Sequence, residues 1–127
     1  MKEKIEHHRI SFGNAFAGII YAFTSQPNFV IHFGFSLLAL AAAWLFKISS
    51  SELLILVLTI SLVLVAEMLN TAIEQVTDLV TSEWRKEAKH AKDVSAGMVL
   101  LAATASIFVG IMIFSPKIVN FLKNPNF

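Results

Sequence analysis

Glu67, Asn70, Glu74 and Asp78 follow one another at intervals of three, four and four residues. On a helix, at about 100° per residue, they fall within about 80° of one another on one side. Glu67 and Asn70 lie inside an otherwise apolar run, where a charge costs roughly 3 kcal/mol on insertion scales. Polar groups at such depth face a cavity or the interior of a bundle, and they mark function by default. They can also serve only as hydrogen-bonding contacts between helices. Four in register, facing a basic loop that carries Arg85, Lys86 and Lys89, favour the functional reading. Lys92 and Asp93 open the next apolar run and can approach the stripe from a neighbouring helix.

A carboxylate at membrane depth, more carboxylates above it and cations nearby suit phosphoryl transfer to a lipid. Mg²⁺ takes oxygen ligands, often one or two carboxylates with water and substrate phosphates completing the shell. Cationic side chains offset the charge of the transferred group, and catalysis is largely positioning and electrostatics. A carboxylate within reach of a lipid hydroxyl can act as general base. The donor is water-soluble and the acceptor lies in the bilayer, so the site must straddle the boundary, as this stripe does. The sequence contains no GxxxxGK[ST] loop and no kinase-type glycine loop, which excludes both common soluble kinase architectures.

The elements that must hold these residues are apolar. Of 127 residues 56% are hydrophobic and only 15% charged, against roughly 25% charged in a soluble domain. The chain has no cysteine, hence no disulfide, thiolate metal site or cysteine nucleophile. Its net charge of +1 gives no reason to expect nucleic acid as a partner. Spanning a bilayer takes about 20 mostly apolar helical residues. Three segments qualify: 29–46, 53–73 and 94–115, with Pro116 read as the stop after the third. Before them, Phe12, Phe16, Ile19, Ile20 and Phe23 share one face of a helix over about 8–26, with Asn14, Tyr21 and Ser25 opposite. That helix suits the headgroup plane or packing against the bundle, and Pro27 separates it from the first span. The fold expected is all-α, an integral membrane domain covering residues 1–127, with a surface helix and three transmembrane helices.

Seven of the ten Lys and Arg residues fall before the first span or between the second and third, and three (Lys47, Lys117, Lys123) fall on the other side. The positive-inside rule then places the N-terminus and the loop between the second and third spans in the cytoplasm, and the C-terminus outside. The histidines carry less. His7 and His8 diverge by about 100° on a helix and suit solvated headgroup contacts rather than a metal. His32 is expected to be a packing or interface residue, and His90 belongs to the basic loop.

The wording EMLNTAIEQVTDLV (Glu67 to Val80) followed by AKDVSAGMVLL (Ala91 to Leu101) resembles the prokaryotic diacylglycerol kinase and undecaprenol kinase family. The resemblance runs from SFGNAFAGIIYAF onward. It implies a homotrimeric lipid kinase of the bacterial cytoplasmic membrane that uses ATP and Mg²⁺. By resemblance, Glu67 is the general base towards the lipid hydroxyl and Asn70 the amide beside it. Glu74 is a metal-binding carboxylate, and Asp78 completes the motif on the cytoplasmic side. Lys92 and Asp93 contact the nucleotide phosphates, and Glu83, Trp84 and Arg85 lie in the loop over the nucleotide. The seam of Ala102, Ser106 and Gly110 suits close helix contact in a trimer. Several positions depart from the pattern. Gln26 stands where members usually carry a second metal-binding glutamate. Val30, Ala17 and Ile20 stand where basic residues are common, and Asn14 occupies a frequently aromatic nucleotide contact. The acceptor is diacylglycerol or undecaprenol, with Ala96 leaning to the latter. The alternative is a degenerate, non-catalytic membrane assembly or lipid-binding protein of the same fold.

Overall fold

The computed structural model describes residues 2–123, with side chains from residue 12 onward; the readings of His7 and His8 lie outside the described side chains. Four helices account for these residues: α1 (Lys2–Ser25), α2 (Pro27–Leu45), α3 (Ser50–Val80) and α4 (Lys86–Lys123). No strand occurs among the described residues. Three of them, α2, α3 and α4, are long and apolar enough to cross a membrane.

Each junction has a local cause. A residue before proline is pushed out of the helical region, and Gln26 accordingly sits at φ −119°, ψ 100° with Pro27 opening α2. The missing N–H of Pro27 is one that a first helical turn leaves unused in any case. The α2 helix ends in a Schellman arrangement: Ile48 N–H donates to the Ala43 carbonyl and Lys47 N–H to that of Trp44. Lys47 takes the left-handed conformation (φ 46°) that this cap requires. Next, Ser49 and Glu52 form a reciprocal capping box that starts α3. The Glu52 backbone N–H donates to Ser49 Oγ, and the Ser49 N–H donates to the Glu52 carboxylate. After α3, Thr81 is extended and its hydroxyl accepts from the Glu83 N–H at 3.1 Å, shaping the short link into α4.

The core is thin and runs between α3 and α4. Ala43, Leu56 and Ile113 are buried together at one end, with Ile48, Val109 and Phe114 against them. Val63, Ala66 and Ala102 form a second cluster nearer the polar stripe. Small residues at these contacts let the helix backbones approach closely, which drives helix association in lipid. Large apolar side chains such as Leu100, Leu101, Phe108 and Met112 point outward, as suits a surface solvated by acyl chains.

One expectation needs correction. Pro116 does not end the third helix: α4 passes through it to Lys123. Membrane helices tolerate an internal proline, and the extension is held at its far side. The Phe46 ring packs against Phe114 and Phe121, and Lys117 pairs with Glu52 at 3.2 Å. At the other end, α3 and α4 extend beyond the apolar segments, to Val80 and back to Lys86. At 1.5 Å per residue they are about 46 and 57 Å long, against a hydrocarbon core of about 30 Å. The apolar stripe of α1 divides between packing and exposure. Phe23 stacks edge-on against Phe29 and Phe33 of α2 and Ala22 is buried, whereas Phe12 and Phe16 are exposed. The C-terminal end of α1 packs on the bundle through Ala22 and Phe23, and among the described side chains Phe12, Phe16 and Ile20 remain exposed.

Candidate active site

The stripe on α3 lies where α2, α3 and α4 meet, and it grades from buried to exposed. Glu67 is 2% exposed, Asn70 and Glu74 are half-buried, and Asp78 is exposed. The 3-4-4 spacing places the four groups along one side of the helix, and neighbouring helices then engage them one by one. From α4, Ser95 is almost completely buried and its hydroxyl donates to Asn70 Oδ1 at 2.7 Å. Ser95 Oγ also lies 2.9 Å from its own helix's Lys92 carbonyl. Asn70 in turn donates from Nδ2 to Glu74 Oε1 at 3.0 Å. One turn further out, Lys92 of α4 donates to Asp78 at 2.6 Å. From α2, the His32 Nε2 atom lies 3.3 Å from Glu67 Oε1. No hydrogen bond is aligned on that buried oxygen, so the pair is an electrostatic contact. Thr71, also buried, returns its hydroxyl to the Glu67 carbonyl at 2.9 Å.

Of the residues singled out from the sequence, Glu67, Asn70, Glu74, Asp78 and Lys92 are thus brought together. Asp93 is not: it turns to Lys89 on its own helix and forms an i, i+4 ion pair there. Glu83 and Arg85 pair loosely with each other at 3.6 Å in the link between α3 and α4. Between them Trp84 is 80% exposed. Asn14 is exposed on α1. Gln26 is the N-cap of α2, and its side chain makes no capping bond. Ala102 of the small-residue seam packs within the chain against Val63 and Ala66. Gly110 instead borders open space, with nothing within 4 Å of where a Cβ would stand.

Two residues at the junction were not anticipated as site members. His32, expected as a packing residue, faces the buried carboxylate. Ser95 locks Asn70 in place, and its only sequence signal is a small hydroxyl one turn beyond Lys92 in an apolar helix.

Fit to Mg²⁺ turns on the carboxylates. Asp78 and Asp93 are neutralised by lysines and Glu67 faces His32. Glu74 is the stripe carboxylate with no cationic partner among the described residues, and it is oriented only by a neutral amide. No cluster of three or more acidic or histidine ligands exists among the described residues. The arrangement therefore fits a cation held by one carboxylate and completed by substrate phosphates, the mode Mg²⁺ favours, and does not fit an all-protein cage. A cavity of about 210 Å³ lined by Tyr21, Met68, Thr71 and Gln75 opens between α1 and α3, one face round from the stripe. A larger one of about 700 Å³ lies at the opposite end, lined by Trp44, Leu53 and Phe121, and contains no acidic residue.

A buried carboxylate in a three-span bundle, linked by an amide to a second carboxylate at the rim and faced there by a lysine, defines a small multi-pass membrane protein with its polar site at one interface. The chain belongs to the prokaryotic diacylglycerol kinase family, whose model matches residues 13–114. It is 40% identical over 114 residues to a diacylglycerol kinase of Synechocystis sp., covering 89% of this chain and 65% of that protein. It is 37% identical over 108 residues to an undecaprenol kinase of Bacillus subtilis, covering 85% of this chain and 88% of that protein. A diacylglycerol kinase of Escherichia coli is 32% identical over 71 residues, 56% of this chain and 58% of its own length. The chain thus spans just under two thirds of the Synechocystis relative and nearly all of the Bacillus one.

Proposed function

We propose that the protein is an ATP-dependent lipid kinase that phosphorylates the hydroxyl of diacylglycerol or undecaprenol at the cytoplasmic face of the bacterial inner membrane. The observation that carries this reading is the linked series Ser95–Asn70–Glu74 beside the buried Glu67. It joins a carboxylate at lipid depth to one at the water boundary. Family membership and the relatives' names support the activity.

In this mechanism Glu67 takes the proton of the lipid hydroxyl, which reaches it from the bilayer side. The lipid oxygen bonds to the γ-phosphorus of ATP as the bond from that phosphorus to the β,γ-bridging oxygen breaks, and ADP leaves. Asn70 fixes the Glu74 carboxylate; Glu74 would hold Mg²⁺ together with phosphate oxygens, and the ion would neutralise charge on the transferred group. Lys92, kept at the rim by Asp78, adds positive charge beside the phosphates. Asp93 and the Glu83–Trp84–Arg85 link complete the nucleotide side, with Asn14 on α1. Assembly as a homotrimer would close the open face at Gly110. The non-catalytic alternative rests on Gln26, and the intact Glu67–Asn70–Glu74 series weighs against it.

The test is transfer of label from γ-labelled ATP, with Mg²⁺, to diacylglycerol or undecaprenol in mixed micelles. The reading expects a labelled lipid, lost in Glu67→Gln and retained or raised in Gln26→Glu. A well-folded protein that labels neither acceptor would overturn it.

A further inference from the structure

We propose that His32 is the positioning and proton-release partner of Glu67, a role that rests on the kinase reading of the same site. A general base that is 2% exposed can collect a proton from a lipid hydroxyl, but it has almost no contact with water through which to lose it. Before the next turnover that proton must leave through another group. On α3 the next carboxylate is Glu74, already engaged by Asn70. From α4 the neighbours around Ala66 are Ala102, Met98 and Val99, none of which carries a proton. From α2 comes His32, with Nε2 at 3.3 Å from Glu67 Oε1 and a side chain 26% exposed. It faces the buried oxygen, and part of its side chain lies at the protein surface near the start of α2. Imidazole can both accept and donate a proton at its ring nitrogens, which suits it to pass one on.

The cycle balances. The proton of the lipid O–H passes to the Glu67 carboxylate as the lipid oxygen bonds to phosphorus. The Glu67 O–H then protonates the neutral imidazole at Nε2, which restores the carboxylate and leaves an imidazolium. The imidazolium gives the proton to water. No hydrogen bond is aligned on Oε1, so the imidazole and the carboxylate stand in close contact at 3.3 Å without a formed bond between them. His32 lies within α2, where its carbonyl accepts from the Ser36 hydroxyl at 2.8 Å.

The experiment uses the full chain in bilayer nanodiscs, with whichever acceptor the wild type phosphorylates. His32→Ala, His32→Gln and Glu67→Gln are compared, each also titrated with imidazole at fixed pH and ionic strength. His32→Ala is expected to lower kcat by about ten-fold or more, with KM for ATP changed by less than about two-fold, and to recover in proportion to added imidazole. His32→Gln fills the space without carrying a proton, so it is expected to be as slow and to stay slow. Activity of His32→Ala within about two-fold of wild type, or a loss that glutamine restores or imidazole leaves unchanged, would overturn the proposal. A second readout needs no turnover. In ¹⁵N-histidine-labelled protein the His32 ring signals, assigned by their loss in His32→Ala, are expected to move in Glu67→Gln. Unmoved signals would overturn the contact. A wild type that labels no lipid would refute the kinase reading, and the ring signals would still decide whether His32 answers to Glu67.

Discussion

Glu67 is the residue whose environment asks most of the fold: a carboxylate taken out of water with one imidazole beside it and no aligned donor on the facing oxygen. Retaining such a group is costly unless it is used. Replacing it by glutamine keeps size and hydrogen bonding and removes the base, so kcat is expected to fall by about 10²–10⁴ while KM for ATP stays near wild type. Steady-state kinetics with varied ATP checks this. Ser95→Ala probes the support behind it. Without the hydroxyl, Asn70 Oδ1 loses its donor, costing about 1 kcal/mol in reversible unfolding in detergent, and Glu74 is less firmly aimed. At this scale the spacing on α3 was legible, because helical periodicity alone puts Glu67, Asn70, Glu74 and Asp78 on one side. The partners were not. Which side chain meets Glu67 depends on how α2 packs against α3, and an isolated His32 in an apolar run gives no sign of that. Asp93 shows the converse: a motif residue beside Lys92 that the helix turns towards Lys89 instead.

At the scale of elements, apolar runs report where lipid is and not where helices end. The first span ends within a residue of α2, because proline and a Schellman turn bracket it where the apolar run also stops. The other two helices outrun their apolar cores, and the surplus turns carry Glu74, Asp78, Lys89 and Lys92. The start of α3 is set by the Ser49–Glu52 capping box, a local cause that the apolar run itself does not report. Pro116 misled because proline stops helices in water, where its freed carbonyl is easily solvated, while in a membrane helix the neighbouring contacts carry the helix on. The left-handed Lys47 closing α2 offers a clean test. An L-residue there costs roughly 1–2 kcal/mol relative to glycine. Lys47→Gly is therefore expected to raise stability by about 1 kcal/mol and leave lipid phosphorylation unchanged, the turn being at the end of the bundle away from the stripe. Thermal unfolding in one detergent, with activity measured in parallel, checks both halves.

For the whole molecule, the distribution of charge decides which way the site faces. The link between α3 and α4 and the turns flanking it hold Arg85, Lys86, Lys89 and Lys92, while the other end holds Lys47, Lys117 and Lys123, with Lys117 offset by Glu52. Basic residues close to span ends resist translocation, so the end bearing Glu74 and Asp78 should remain in the cytoplasm, where ATP is. Orientation and activity are thus one claim: a site at this end of the bundle is useless as an ATP-dependent kinase if the bundle inserts the other way. The absence of cysteine from the chain makes the test direct, since each single-cysteine variant carries one reactive thiol. Ser82→Cys, in the exposed link after α3, is expected to react with a membrane-impermeant maleimide only after spheroplasts are permeabilised. Asn120→Cys, on the exposed turns of α4 beyond Pro116, is expected to react in intact spheroplasts. The reverse pattern would place the carboxylate stripe outside the cell, away from its phosphate donor, and would remove the kinase reading together with the orientation.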